Sequence, residues 1–444
     1  MAKTKKAKND KSPEIALTRT LGTDRAEVKS ERFRAVRNDC VVEFQECGGH
    51  DDNSIDMICT SIPFGNQYEY SPSYNDFGHC SDHTVFFEQM DFLTPNLLRV
   101  LKPGRVAAIH VKDRIRFGAV TGFGMPTVDR FSDKTADCFE KAGFKFAARI
   151  TIDTDVVREN NQTYRLGWSE NAKDSSKMGA GMPEYVLVFR KLPTDTSDAY
   201  ADTPVTKSKV QVTEYSCPKC SQKEDSSTAF VDASTPVEAW RCPKCKQLLK
   251  DGPNAEIVTP AYTRSDWQID AAGFWRSSGN RLPDPDYLAG LDMQAVGAWW
   301  RNYCLQGGYD FKEHVELAKS LEVKGRLPSS FMLFPPISRN KDIWTDIARM
   351  RTLNMEQQRR GAEKHVCPLQ LDIIERLITR YTNVNDIVMD PFAGIFSVPY
   401  MAVKMERQGI GIELNEEYWR NGVGYCQMAE QKATAPTLLD ISSL

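Results

Sequence analysis

No apolar run in the sequence is long enough to span a bilayer, and no stretch has the layout of a secretory signal. An exported or membrane-spanning protein is therefore not expected, and the cytoplasm is the expected compartment. Charge of one sign is not in excess either: 57 Lys and Arg stand against 60 Asp and Glu, a net charge of -3. That balance carries no global nucleic-acid signature, so contact with DNA would have to use local basic patches. The G-x-G-x-x-G turn that cradles a dinucleotide pyrophosphate is missing. Most of the 12 cysteines stand singly, as reduced thiols do, with no disulfide framework in the spacing. What remains, in 444 residues with a hydrophobic fraction of 41%, is room for two or three globular domains.

The most informative stretch is Asp386-Ile-Val-Met-Asp390-Pro391-Phe392-Ala393-Gly394. A short apolar run ends in an acid, a tight turn follows, and Val398 to Met405 has helical spacing. Gly409 is expected to close that helix, and Ile410-Gly-Ile-Glu413-Leu414 then reads as a second strand. Such a strand-helix-strand unit binds small molecules at the carboxyl ends of its strands. Asp390 and Glu413 sit at those ends, 23 residues apart. Without a phosphate cradle, a nucleoside lacking phosphates fits the turn, with Glu413 accepting from the ribose. The same residues would also suit an ordinary strand ending in an acid.

Earlier in the chain, Cys40 to Phe44 and Ile55 to Thr60 read as strands, and the second runs into Ser61-Ile62-Pro63-Phe64. Ile62 precedes a proline and is pushed to extended geometry, while Pro63 lacks an N–H and leaves the turn rich in carbonyls. A hydroxyl, a carbonyl and an aromatic ring together could hold an amino group on a flat ring. An ordinary strand-to-loop turn with a core Phe has the same composition. The loop that follows is aromatic and polar (Tyr68, Tyr70, Tyr74, Asn75, Phe77, His79), in a place where loops often bind ligands. Beyond it come a helix over 82–101 with Pro95 inside, a turn at Lys102-Pro-Gly104, and a buried strand over 106–111. A helix over 134–142 and strands over 144–152 and 185–189 complete an α/β pattern, and 158–182 reads as a polar loop.

Two Cys-x-x-Cys pairs, Cys217/Cys220 and Cys242/Cys245, are separated by 21 residues. Close thiolate pairs brought together by a hairpin suit tetrahedral zinc, so a structural zinc ribbon is expected here. Residues 258–340 are rich in Trp, Tyr, Arg and Pro, with one helical pattern near 311–321, and suit either a recognition domain or a packing insertion.

Taken together, these segments resemble the amino-methylating DNA methyltransferases in their circularly permuted beta order. In that family an Asp/Ser/Asn-Pro-Pro-Tyr/Phe motif comes first. A Lys-His segment with a following Pro, Asp-Pro-Phe-Ala-Gly-Ser-Gly and Gly-Ile-Glu lie toward the carboxyl end. The matching residues are Ser61 to Phe64, Lys364-His365 with Pro368, Asp390 to Gly394, and Gly411-Ile-Glu413. The resemblance covers about residues 31–191 and 359–432. It implies a permuted seven-stranded α/β sheet, Rossmann-like, interrupted by a zinc-ribbon insertion. It also implies S-adenosylmethionine as methyl donor and double-stranded DNA as partner. The donor would be held by the Asp390, Pro391, Phe392, Ala393 and Gly394 turn, by His365 and Pro368, by Glu413 at the ribose and by Asp39 near the adenine. The Ser61 hydroxyl and the Ile62 carbonyl would accept from the target amino group, with Phe64 stacked on a flipped base.

The implied target is cytosine N-4, toward which Ser61 points, or adenine N-6. RNA or protein-amide methylation is the alternative chemistry, and a catalytically inactive zinc-ribbon DNA-binding relative is the non-enzyme alternative. Two departures from the family are plain: Ile62 replaces the first proline, and Ile395-Phe396 stand where Ser-Gly is usual, which would reshape the cofactor turn. The expected domain order is a basic flexible tail (1–30), a catalytic part (31–192), an insertion (193–350), a cofactor part (351–434) and a tail (435–444).

Overall fold

The apolar runs with no polar alternation become strands buried on both faces. In the computed structural model, which describes residues 25–45, 50–63, most of 71–153, 172–177, 182–207, most of 212–263, scattered positions over 266–353, and 368–434, nine strands form one sheet. The strands in chain order are β1 (Ala26–Lys29), β2 (Phe33–Arg37), β3 (Ile55–Ser61), β4 (Leu101–Lys112), β5 (Arg114–Arg116) and β6 (Thr127–Asp129). They continue with β7 (Lys145–Ile152), β8 (Glu184–Arg190), β9 (Val212–Ser216), β10 (Lys223–Glu224), β11 (Val231–Asp232) and β12 (Ala239–Trp240). The last are β13 (Asn254–Val258), β14 (Ile343–Trp344), β15 (Ile387–Asp390) and β16 (Gln408–Glu413). The helices are α1 (Cys40–Gln45), α2 (His83–Val100), α3 (Gly118–Thr121), α4 (Phe131–Lys141), α5 (Leu371–Tyr381), α6 (Ser397–Lys404) and α7 (Glu416–Thr434).

The sheet order is β1-β2-β16-β15-β3-β4-β8-β7-β14. From β2 to β4 every pairing is parallel, while β8 runs antiparallel to both β4 and β7. A mostly parallel sheet needs helices on both faces. On one face Ile58, Ile109 and Leu187 pack with Phe86, Met90 and Leu93 of α2 and Phe139 of α4. On the other, Met57, Ala108 and Val388 pack with Ile374 and Leu377 of α5 and Met401 of α6. The middle seven strands are the number expected; β1 and the two-residue β14 extend the sheet at its two edges.

Several expectations change. Residues 40–44 form α1, not a strand, because Asp39 caps them: the Val42 N–H donates to Asp39 Oδ1 at 2.9 Å. The cap outweighs the β preference of Val41 and Val42, and Phe33–Arg37 takes the strand position instead. Residues 26–29, placed in the flexible tail, form β1. The Lys102-Pro-Gly104 turn lies within β4, where the register with β3 shifts and Gly104 has φ 79°. Gly409 does not end α6 but sits inside β16; a Cβ there would come 2.7 Å from the Pro399 backbone, so it lets helix and strand approach. Glu406, at φ 64°, makes the left-handed turn after the helix. The expected helix near 311–321 and most of the 158–182 loop lie outside the described residues.

The described residues fall into two units, one drawn from 1–205, 274–310 and 335–444, the other from 206–273 and 311–334. Residues 193–205 and β14, assigned by sequence to the insertion, thus belong with the sheet. No described helix is long and apolar enough to cross a membrane.

At the amino ends of the parallel strands, Arg105 on β4 is 1% exposed and ties three strands together. Its Nε donates to the Asp56 carbonyl of β3 at 2.9 Å, its Nη1 to the Thr203 carbonyl at 3.0 Å, and its Nη2 to the Asp386 carboxylate beside β15. The Asp56 carboxylate in turn accepts from the Ile387 N–H at 3.0 Å and from Lys102 at 2.7 Å. Removing the guanidinium from a buried pair leaves uncompensated charge. Arg105→Leu is expected to lose about 3–5 kcal/mol of unfolding free energy, measured by urea titration.

Candidate active site

Four parallel strands end side by side, and each delivers a polar residue to the same edge. β3 ends at Ser61, β15 at Asp390, β16 at Glu413, and β2 leads into Asn38-Asp39. Between them opens a cavity lined among others by Asp39, Ser61, Ile62, Pro63, Pro391, Phe392, Gly394 and Glu413. Its place at the carboxyl edge of an open α/β sheet is that of a small-molecule site.

Glu413 organises the cofactor-side wall. Its Oε2 accepts from the Gly394 N–H at 2.7 Å and its Oε1 from the Asn415 N–H at 2.8 Å. Its carbonyl accepts from the Asn38 N–H at 3.1 Å, which fixes the end of β2 against β16. The Ala393 N–H donates to the Ile412 carbonyl at 2.9 Å, so the turn after β15 lies on the next strand. Asp390 and Ala393 stand behind the wall: Asp390, 4% exposed, accepts from the Phe392 N–H at 3.0 Å and holds the turn closed. Ile395 and Phe396 also point away from the cavity, into the core. Phe396 occupies left-handed backbone at φ 65°, a conformation a bulky residue rarely takes. Gly411 and Gly422 make room for its ring, since a Cβ on either would lie 2.5 Å and 2.1 Å from ring carbons. The departure from Ser-Gly is thus absorbed by the core and leaves Gly394 on the wall.

Asp39 lines the cavity while its Oδ1 caps α1. Pro368 is described just ahead of α5 and does not line the cavity; His365 and Phe64 lie outside the described residues. The sequence reading missed Asp76, a buried lining residue whose carboxylate accepts from the Ser71 N–H at 2.6 Å and the Gly78 N–H at 2.8 Å. It also missed His110 and Glu184, which lie behind Ser61 on β4 and β8. The available signal was a histidine interrupting the apolar run 106–111.

The second unit gathers Cys217, Cys220, Cys242 and Cys245, whose sulfurs all lie within 4.8 Å of one another. The Cys217–Cys245 and Cys220–Cys242 separations are 3.8 and 3.6 Å. A tetrahedral ion with sulfur ligands at about 2.3 Å requires edges of about 3.8 Å. The two pairs are built alike. In each, the N–H four residues on returns to the first cysteine's carbonyl, Ser221 to Cys217 at 2.9 Å and Lys246 to Cys242 at 3.0 Å. Ser221 and Lys246 both take left-handed backbone. Phe230 and Leu249 pack beneath the cluster, and β9 pairs with β10 and β13 beside it. These four thiols could hold a metal ion.

Burial pushes the Glu413 carboxyl up to about 8, opposed by the Asn415 and Gly394 N–H groups and reinforced by the charges of Asp76 and Asp390. Burial likewise pushes Asp390 up to about 7. An unfolded chain releases these protons near pH 4. Above that pH the folded protein holds protons the unfolded chain has lost, so stability falls as pH rises toward 8. The melting temperature of the unliganded protein should therefore drop between about pH 5 and pH 8. Glu413→Gln should flatten that slope, even though its amide nitrogen faces one of the two N–H donors. An unchanged slope in that variant, read by calorimetry, would reject Glu413 as its source.

Several known proteins similar to this chain are DNA methyltransferases. A DNA adenine methyltransferase of Escherichia coli K12, YhdJ, is 35% identical over 82 residues, 18% of this chain and 26% of its own length. The type II methyltransferase M1.MboII of Moraxella bovis is 41% identical over 54 residues, 12% of this chain and 21% of its own. The matched segments therefore span about a quarter of these relatives. Among solved structures, a putative DNA modification methylase of Thermus thermophilus complexed with S-adenosyl-L-methionine aligns over 89% of this chain and 94% of its own. Its TM-score is 0.40 at 16% identity. The cytosine-N4-specific PvuII DNA methyltransferase covers 89% and 87%, with a TM-score of 0.44 at 11% identity. A family model described as DNA methylase matches residues 55–423, most of the chain, and the protein belongs to this N6/N4 DNA methylase family.

Proposed function

We propose that this chain transfers a methyl group from S-adenosylmethionine to an exocyclic amino group of a base in DNA, cytosine N-4 or adenine N-6. One observation carries the reading: the Ser61-Ile62-Pro63 turn and the Pro391–Gly394 turn, 330 positions apart in the sequence, face one cavity together with Glu413 and Asp39. The strand order supports a circularly permuted arrangement, since β15 and β16 come last in the chain yet lie between β2 and β3.

The residues present fit the donor. Glu413 holds an acceptor at the cavity wall, fixed by two backbone N–H groups. Gly394 offers backbone without a side chain, and Asp39 stands nearby on the same wall. When bound, S-adenosylmethionine supplies an electrophilic methyl group on a sulfonium. The chain has then mainly to orient: the Ser61 hydroxyl and the Ile62 carbonyl accept from the amino group and aim its lone pair. Burial of the Ile62 side chain, 1% exposed, fixes the turn so that its carbonyl is what the turn offers. A base in duplex DNA has to leave the stack to reach such a pocket.

The cysteine cluster is read as a structural zinc ribbon within a recognition insertion. Four thiols at tetrahedral spacing support zinc, and a closed set of four leaves no position for catalysis. The type II relatives support a role alongside a restriction system.

Tritium transfer from labelled donor separates the alternatives. Label in DNA supports the reading; label in RNA or protein instead, or in nothing, would replace it with amide or RNA methylation, or with an inactive binding protein. Glu413→Ala should weaken donor binding by ~1.5–3 kcal/mol, the usual contribution of a charge-assisted hydrogen bond, in calorimetry. Metal analysis should find about one zinc per chain. Cys217→Ser should release it and unfold its own unit before the sheet, followed by limited proteolysis.

A further inference from the structure

From Ser61 on the cavity wall runs a line of three side chains, two of which the family motifs do not include. Ser61 Oγ lies 2.9 Å from His110 Nδ1, and His110 Nε2 lies 3.3 Å from Glu184 Oε2. The three sit on adjacent strands: Ser61 pairs with His110 across β3 and β4, and Glu184 on β8 pairs with Lys112, two positions along β4 from His110. Only Ser61 lines the cavity. His110 and Glu184 are 5% and 6% exposed, on strands that also bury Ala107, Ile109, Val111, Val186 and Leu187. Lys112 Nζ stands 3.8 Å from the other carboxylate oxygen of Glu184. Placing an imidazole and a carboxylate in such a sheet interior is unfavourable unless each has a partner, and here the partners form a line that ends at the proposed amino-acceptor hydroxyl.

We propose that His110 and Glu184 are positioning residues that set the Ser61 hydroxyl and take up the proton released by methyl transfer. This rests on the methyltransferase reading above. Glu184 accepts from His110 Nε2–H, which leaves Nδ1 with its lone pair toward Ser61. The Ser61 O–H then donates to Nδ1, and its oxygen lone pairs face the cavity, ready for the target N–H.

As the amino nitrogen forms its bond to the methyl carbon, the carbon–sulfur bond breaks and its electron pair stays on sulfur. The nitrogen, now positive, gives its proton to Ser61 Oγ while the Ser61 proton passes to His110 Nδ1. The imidazolium so formed keeps its Nε2–H on the Glu184 carboxylate, which offsets the new charge. No further reactant is needed, and one proton remains on the protein for later release to water. The logic is that of a hydroxyl oriented by a histidine that is itself oriented by an acid, used here to accept a proton and not to make a nucleophile.

The test is single-turnover methyl transfer by the full-length protein onto amplified DNA, which carries no modification. Donor affinity by calorimetry, KM for DNA and thermal unfolding are measured beside it. Glu184→Gln and His110→Gln should each lower the rate at saturation about 100-fold, within the range for a lost proton acceptor. Donor affinity and the KM for DNA should stay within twofold. In a Ser61→Ala background, His110→Gln should cause almost no additional loss, because the line is already cut.

A folded Glu184→Gln protein with the parent rate overturns the proposal, as does additive loss in the double variant. Loss confined to KM or to donor affinity overturns it too. If His110→Gln fails to fold, Glu184→Gln, which keeps a hydrogen-bonding group of the same shape, decides alone. Parent protein that labels no DNA rejects the methyltransferase reading and the relay with it; an active parent with unaffected variants rejects only the relay.

Discussion

The buried Arg105 guanidinium is the constraint on which the rest of the sheet depends. β3 and β4 come early in the chain and β15 comes near its end, so loop closure works against putting β15 beside β3. Arg105 reaches Asp56 on one strand and Asp386 at the entrance to the other, and Asp56 accepts from the first N–H of β15. Those bonds sit at the amino ends of the strands. They leave the carboxyl ends free to carry the polar residues of the cavity, which could not tolerate a second set of buried charges nearby.

At that opposite end the fold accepts an electrostatic penalty. Asp390 and Asp76 are buried acids and Glu413 a half-buried one near the same cavity, and loss of hydration pushes Glu413 and Asp390 far above the usual carboxylate range. Two backbone N–H groups on Glu413 and one on Asp390 offset part of that penalty. Sites that are strained in this way before a ligand arrives are where function is concentrated. A ligand hydroxyl that donates to Glu413 would meet an acceptor already aimed by the turn it also closes.

The hydroxyl at the other wall is supported from behind. His110 and Glu184 extend the polar line of Ser61 across two further strands, beside the buried apolar Ile109, Val111, Val186 and Leu187. The antiparallel placement of β8 between β4 and β7 is what brings Glu184 opposite Lys112, within reach of His110 two positions away. A parallel β8 would have put its other end there. Sheet topology and site chemistry are linked at that point.

By itself the sequence determined what depends on local residue order. The apolar run before Asp390, the Asp-Pro-Phe-Ala-Gly turn, the Ile62-Pro63 dipeptide and the two Cys-x-x-Cys pairs each restrict the backbone over a few residues, and such restrictions survive in the fold. The class of sheet and the acids at its edge could be read from them. Tertiary structure alone decided the rest. The capped helix α1 displaced an apolar strand-like pattern because Asp39 sits where the β2 backbone is held by Glu413. The left-handed Phe396 is tolerated only because two distant glycines vacate its ring space. His110 and Glu184 looked like stray polar residues because their meaning lies in cross-strand register, and a register between strands 74 residues apart leaves no periodic trace in either one.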